Sequence, residues 1–192
     1  MRRLVRAAIV LIVLIAIFLA TRSAVRGPDL DPRAVVTQVR QLNELATVRY
    51  TVQKIVGLRE QKNPVGSESI LLVMQARVEA GIHLEGLREE DVFRRPDGAL
   101  VVRMPPARIL NVAVDEQETK VWDRVKTWWT PWVPYSMDLE QRARVAGLEA
   151  VKQSALDMGI LKEAERNAEA SIRGLLGLAG FKSVVVIPAS VS

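Results

Sequence analysis

The sequence predicts an α+β protein: an N-terminal transmembrane helix followed by one domain with a mostly antiparallel sheet, a short N-terminal helix, and a C-terminal helical hairpin or kinked helix plus a last strand. Three observations predict it. Residues Ala7 to Ala20 form an unbroken apolar run. From Thr47 to Val125 the apolar residues recur largely at a period of two, as half-buried strands do. From Asp138 to Ala179 they recur at helical spacing, and the run KSVVVIP follows. The expected division is 1–21 for a basic tip and anchor, 22–32 for a linker, 33–188 for the domain and 189–192 for a tail.

The anchor comes first. Ala7–Ala20 alone spans only about 21 Å as a helix, short of the roughly 30 Å hydrocarbon core. Leu4 to Thr21 reaches about 27 Å, with Arg6 snorkelling to the headgroups. The 12 Leu, Ile, Val and Phe residues of that window contribute about −4 to −7 kcal/mol of insertion free energy. A cleaved secretory signal would also open with a basic tip and an apolar run, but it needs small residues at both positions before the cut. Ala20 has Phe18 two residues before it and Ala24 has Arg22, which leaves only Thr21 with Ser23 around Arg22. The expectation is an uncleaved segment held in a lipid bilayer through Leu4 to Thr21, with a cytoplasmic N-terminus and the domain on the other side.

The domain's elements follow in order. RSAVRGPDLDP (22–32) is a polar linker containing Gly and Pro. Asp31-Pro32 is a helix start, and Val35, Val36, Val39, Leu42 and Leu45 continue a short amphipathic helix. Val48, Tyr50, Val52, Val56 and Leu58 alternate with polar residues as a strand. Glu60–Glu68 is a loop, and Ile70–Ile82 is a second strand with Leu72, Met74, Ala76, Val78, Ala80 and Ile82 on one face. Pro96-Asp97-Gly98 makes a hairpin turn, and Pro105-Pro106 ends its second strand. Ile109–Val114 and Thr119–Val125 are expected to pair around the acidic turn Asp115-Glu116. Asp138 with Gln141 resembles a capping box. Leu139, Ala143, Ala146, Ala150 and Val151 form one apolar stripe, and Leu161, Ala164, Ala168, Ile172, Leu175, Leu176 and Ala179 form another, with Gly159 between them. The last strand covers Lys182–Pro188.

Charge and cysteine usage exclude several function classes. Five of the 27 Lys and Arg residues precede the first acidic residue, and the other 22 match the 22 Asp and Glu, so residues 27–192 are formally neutral. A nucleic-acid-binding domain would carry a basic stripe to neutralise phosphates, and none is expected here. The chain has no cysteine, which removes disulfides, thiolate nucleophiles and Cys-ligated metals.

VRYTVQKIVG, VEAGIHLEGLREEDV, VVRMPPARILNVAVDEQETKVWDR and GILKEAERNAEASIRGLLGLAGFKSVVV occur in that order. Together they resemble the membrane-anchored bacterial family called domain of unknown function 4230, over about residues 35–187. The resemblance implies a single-pass anchor in the bacterial inner membrane and an α+β domain, and it implies no activity. Where that family carries an acid after Gly-Ile, this chain has His83.

His83 is the only histidine. It lacks the companion groups that nucleophilic catalysis or a zinc site needs, so a surface or turn residue is expected. Glu89-Glu90-Asp91 and Asp115-Glu116 with Glu118 match no calcium-loop spacing and read as solvated turn charges. No Gly-rich phosphate loop, nucleophile elbow or dinucleotide fingerprint occurs, so neither catalysis nor a cofactor or metal is expected. Gln75, Arg77 and Glu79 share the polar face of a strand, either as a small-molecule or envelope-component site with hydrolysis as an option, or as solvated surface. The remaining candidate is KTWWTPWVPY (126–135), which holds three of the four tryptophans. Trp128, Trp129, Trp132 and Tyr135 either close one end of the core or meet a membrane or partner. The expected role is a non-catalytic interaction or assembly module, taking a protein partner or a further copy of itself.

Overall fold

The computed structural model describes residues 36–37, 44–63, 65–127 and 132–188. The anchor expected over Leu4–Thr21, the linker 22–32, most of the first helix and the tail 189–192 lie outside them. Among the described residues no helix is long and apolar enough to cross a membrane. Val36 and Thr37 are helical, and Val36 is buried in the core. The expected helix through Leu45 ends earlier than the spacing suggested, because Glu44 and Leu45 already belong to a strand.

That strand, β1 (Glu44–Gln61), forms a long antiparallel hairpin with β2 (Ser67–His83). The two pair along their whole length, with one irregularity between Ala46 and Val48. All seven core-facing residues from Ile70 to Ile82 are buried, as the period-two pattern requires. Two 3-10 turns, Leu84–Gly86 and Glu89–Asp91, lead to β3 (Val92–Arg94) and β4 (Leu100–Met104). These form the expected hairpin, closed by Arg95 N–H to Ala99 O and Gly98 N–H to Arg95 O, each 2.9 Å.

After Pro105-Pro106 come β5 (Ala107–Val114) and β6 (Lys120–Lys126). The sequence reading paired them with each other, and the structure corrects it. Both pair with β2, β5 along Ala76–Ile82 and β6 along Glu68–Val73. They run one after the other down the same edge, because β2 is long enough to offer both a partner. The acidic stretch between them is a bulge fastened to Gln75. Asp115 N–H donates to Gln75 O (2.8 Å), and Gln75 N–H donates to Thr119 Oγ1 (3.2 Å). Asp115 Oδ1 accepts from the backbone of Gln117 and Glu118, an Asx turn.

Helices α1 (Leu139–Asp157) and α2 (Ile160–Leu178) cover the hairpin. The choice between hairpin and kinked helix resolves toward the second, since successive helical residues meet successive positions of the sheet. Arg142 pairs with Glu60, Gly147 lies on Met74, Glu163 bonds Tyr50, and the Ala164 carbonyl accepts from Thr47. The helices lie end to end, broken at Gly159, whose φ of +83° favours glycine. Each buries one residue in four: Leu139, Ala143, Gly147, Val151 and Ala155, then Ile160, Ala164, Ala168, Ile172 and Leu176. Gly147 occupies the stripe where Ala146 and Ala150 were expected. Asp138 does not cap α1 with its side chain; that carboxylate pairs with Arg142 instead, at 3.1 Å. The last strand, β7 (Val184–Pro188), joins β4 in parallel, giving a second sheet in the order β3-β4-β7.

Candidate functional site

The three residues of the proposed polar face do not converge. Glu79 Oε1 is held by Arg49 at 2.7 Å, Gln75 anchors the bulge through its backbone, and Arg77 is exposed. No cavity identified among the described residues is lined by all three. Glu79 and Arg49 border a small cavity of about 220 Å³, and farther along the same face lies an apolar groove of about 540 Å³ lined by Gln53, Ile55, Leu71, Val73, Lys120 and Trp122. Ile55 and Trp122 are each 70% exposed. The sequence signal for this groove was Ile55 itself, an aliphatic residue out of phase with its strand's core-facing set.

His83 lies between Glu44 (Nδ1 to Oε1, 3.2 Å) and Glu85 (Nε2 to Oε2, 3.0 Å). The carboxylates contact opposite ring nitrogens, so the three groups do not aim at one point. No group able to hold a metal occurs among the described residues. Asp91 accepts from Arg88 N–H, Arg88 pairs with Glu90, and Glu116 pairs with Arg144. These acids serve turns and surface ion pairs. A second cleft, of about 430 Å³, has Arg88 and Arg103 on its walls, and Arg103 lies over the Phe93 ring at 5.0 Å.

The most elaborate chemistry lies where the hairpin turn between β1 and β2 meets the segment before α1. Glu68 is fully buried. Its Oε1 accepts from Arg124 Nε (2.8 Å) and Nη2 (2.7 Å). Its Oε2 accepts from Ser136 N–H at 2.8 Å and faces Lys62 Nζ at 3.1 Å. Lys62 also donates to Ser136 Oγ (2.8 Å), and that hydroxyl donates to Glu60 Oε1 (2.9 Å), which in turn pairs with Arg142. Burial alone would raise the Glu68 carboxyl, but the Ser136 N–H, Arg124 and Lys62 hold it below the ordinary glutamate range. The Ser136 hydroxyl and Arg142 hold Glu60 low as well.

A serine beside a lysine invites comparison with a Ser-Lys hydrolase. Desolvation works to lower the Lys62 ammonium, yet Glu68 and Glu60 keep it above the ordinary lysine value. A charged lysine cannot take a proton from Ser136, and the hydroxyl already points at Glu60. The cluster is a fastening.

What it fastens is the tryptophan-rich connection. Trp128 and Trp129 lie outside the described residues. Trp132 is 72% exposed, Tyr135 is 53% exposed, Met137 is fully exposed, and Val133 is the buried residue between them. Lys126 Nζ donates to the Val133 carbonyl, and Arg124 donates to that of Ser136. The same two cations lie over the Tyr135 ring, at 4.8 Å for Lys126 and 5.1 Å for Arg124. Sequence reasoning found the aromatics and missed Glu68, Lys62, Arg124 and Ser136. The available signal was Glu68, a carboxylate on the core-facing phase of β2.

The family model described as "Protein of unknown function (DUF4230)" matches residues 37–186. The chain is a DUF4230 protein. The match runs from just before β1 to Val186 of β7, so the Glu68 cluster, the groove and both helices all belong to the DUF4230 domain. No curated protein and no solved structure matches the chain.

Proposed function

We propose that this DUF4230 protein is a non-catalytic interaction module, anchored in the bacterial inner membrane through Leu4–Thr21, whose domain lies outside the cytoplasm and meets a protein partner with the Trp132–Tyr135 end. One observation carries the reading: an indole 72% exposed on a segment held by Lys126 at the Val133 carbonyl and by the buried Glu68 at the Ser136 N–H. Exposed tryptophan and tyrosine on a fixed support are what binding hot spots use, since little conformational entropy is left to lose.

Position and charge favour a protein over lipid headgroups. The chain enters the large sheet at Glu44, whereas the aromatic end sits beside the Gln61–Ser67 turn, at the far end of an 18-residue strand. A strand of that length spans up to about 60 Å. Arg124 and Lys62 are ion-paired there with Glu68, Arg142 is ion-paired with Glu60 and Asp138, and Lys126 lies over the Tyr135 ring, so these cations do not form the unpaired cluster that recruits anionic lipid.

The test places a photo-reactive phenylalanine analogue at Trp132 in the full chain and irradiates native membranes. A discrete protein adduct is expected, absent when the probe sits at exposed Lys152 on α1. Adducts to lipid alone would overturn the reading. Trp132→Ala should remove the contact while shifting stability by no more than about 0.5 kcal/mol.

A further inference from the structure

We infer that β1 pairs with β1 of a second copy, antiparallel about a two-fold axis at Ile55, joining two DUF4230 sheets into one. The inference extends the assembly reading to a surface separate from the Trp132 end.

Strand β1 is 18 residues long and lies at the edge of its sheet. Among the described residues no strand pairs with its outer edge. Its beginning is engaged by side chains, where Asn167 Nδ2 donates to Thr47 O at 3.2 Å and the Thr47 hydroxyl donates to Ala164 O. The sheet's other edge is interrupted by the acidic Asp115–Thr119 bulge, a device that blocks edge pairing. Beyond Thr47, β1 has no proline and no acid before Glu60. An open edge of this kind is a template for a further strand.

The side chains select a second copy as that strand. Two antiparallel copies related by a two-fold axis place opposed residues on one face, so the axis falls on a residue. An axis at Lys54 would set Lys54 against itself and Arg49 against Arg59. An axis at Val56 would set Val52 against Glu60. An axis at Gly57 would shorten the ladder and set Ile55 against Arg59. An axis at Ile55 pairs Ile55 with itself, Lys54 with Val56, Gln53 with Gly57, Val52 with Leu58, Thr51 with Arg59, Tyr50 with Glu60 and Arg49 with Gln61; it gives a longer ladder than an axis at Val56 or Gly57, and no like charges meet. It also covers the exposed side chain of Ile55 and brings the apolar grooves of the two copies, with Leu71 and Trp122, side by side on one surface. Residues Arg49 to Gln61 of both copies would form on the order of a dozen backbone hydrogen bonds.

The chain has no cysteine, so a single introduced thiol reports alone. Ile55→Cys in the full chain, treated with a short bis-maleimide in native membranes, should give a homodimer as its main product. Val65→Cys, exposed at the hairpin turn, should give background only. In purified full chain, Ile55→Lys should weaken dimerisation at least tenfold and, at concentrations where both proteins are monomeric, leave the melting curve unchanged, since Ile55 is exposed in one copy. Three results would overturn the proposal: no homodimer at Ile55→Cys, equal trapping at Val65→Cys, or an adduct to a different protein. Trp132→Ala should leave the homodimer intact, so failure of either surface is distinguishable from failure of the other.

Discussion

Glu68 occupies the core-facing phase of β2, among Ile70, Leu72 and Met74, and it is as buried as they are. An ionised carboxylate stays there only because Arg124, Lys62 and the Ser136 N–H replace the water it has lost. Arg124→Ala leaves that charge short of its principal partner, and the expected loss is about 3 kcal/mol in a denaturant titration. The pH dependence follows from the direction of the shift. The folded protein binds this proton less readily than the unfolded chain does, and Glu60 behaves alike. Their stabilisation is therefore complete above the unfolded glutamate value of about 4.3 and is lost as pH falls through the lower folded values. The melting temperature should stay level from about pH 7 to 5 and drop below about pH 4. Glu68→Gln should make that drop shallower. The phase of Glu68 was legible beforehand but its partners were not, because Glu68 reaches Arg124 and Ser136 across separations of 56 and 68 residues.

At the scale of elements, local periodicity and the β3–β4 hairpin were read well, and the pairing of β5 and β6 was not. The stripe of β2 stood out because seven alternating positions are apolar, and Gly159 marked the helix break because a left-handed residue there favours glycine. The path of β5 and β6 was hidden. Their own residues look the same whether they pair with each other or with β2, and the answer depends on the length of a different strand. Gly147 was similarly silent, since its reason lies across the interface. A Cβ added at Gly147 would stand 2.9 Å from Met74 Sδ, so α1 approaches β2 as closely as a helix backbone can. Gly147→Leu should cost about 1–3 kcal/mol by overpacking. Adding Met74→Ala should recover part of that loss rather than add a second penalty, which a double-mutant cycle on thermal stability would register.

For the whole molecule, the two ends of the β1–β2 hairpin do different work: the chain arrives at one and the clamped aromatics sit at the other. A tether at Leu4–Thr21 would leave the Trp132 end free to project from the bilayer. The full chain is expected to stay with membranes through an alkaline carbonate wash, and release of the intact polypeptide would remove that placement. The α+β class was legible throughout, since strand-period and helix-period stretches are cleanly separated along the chain. The second sheet was only half visible: the hairpin of β3 and β4 is local, whereas β7 returns from the far side of both helices. That return sets a timetable. Val101 and Val102 lie buried in a strand whose second neighbour, β7, leaves the ribosome only after both helices. Until Val184–Pro188 emerges, β4 waits with one side bare, and a nascent domain of this kind is a natural client for whatever shields unfinished chains during synthesis.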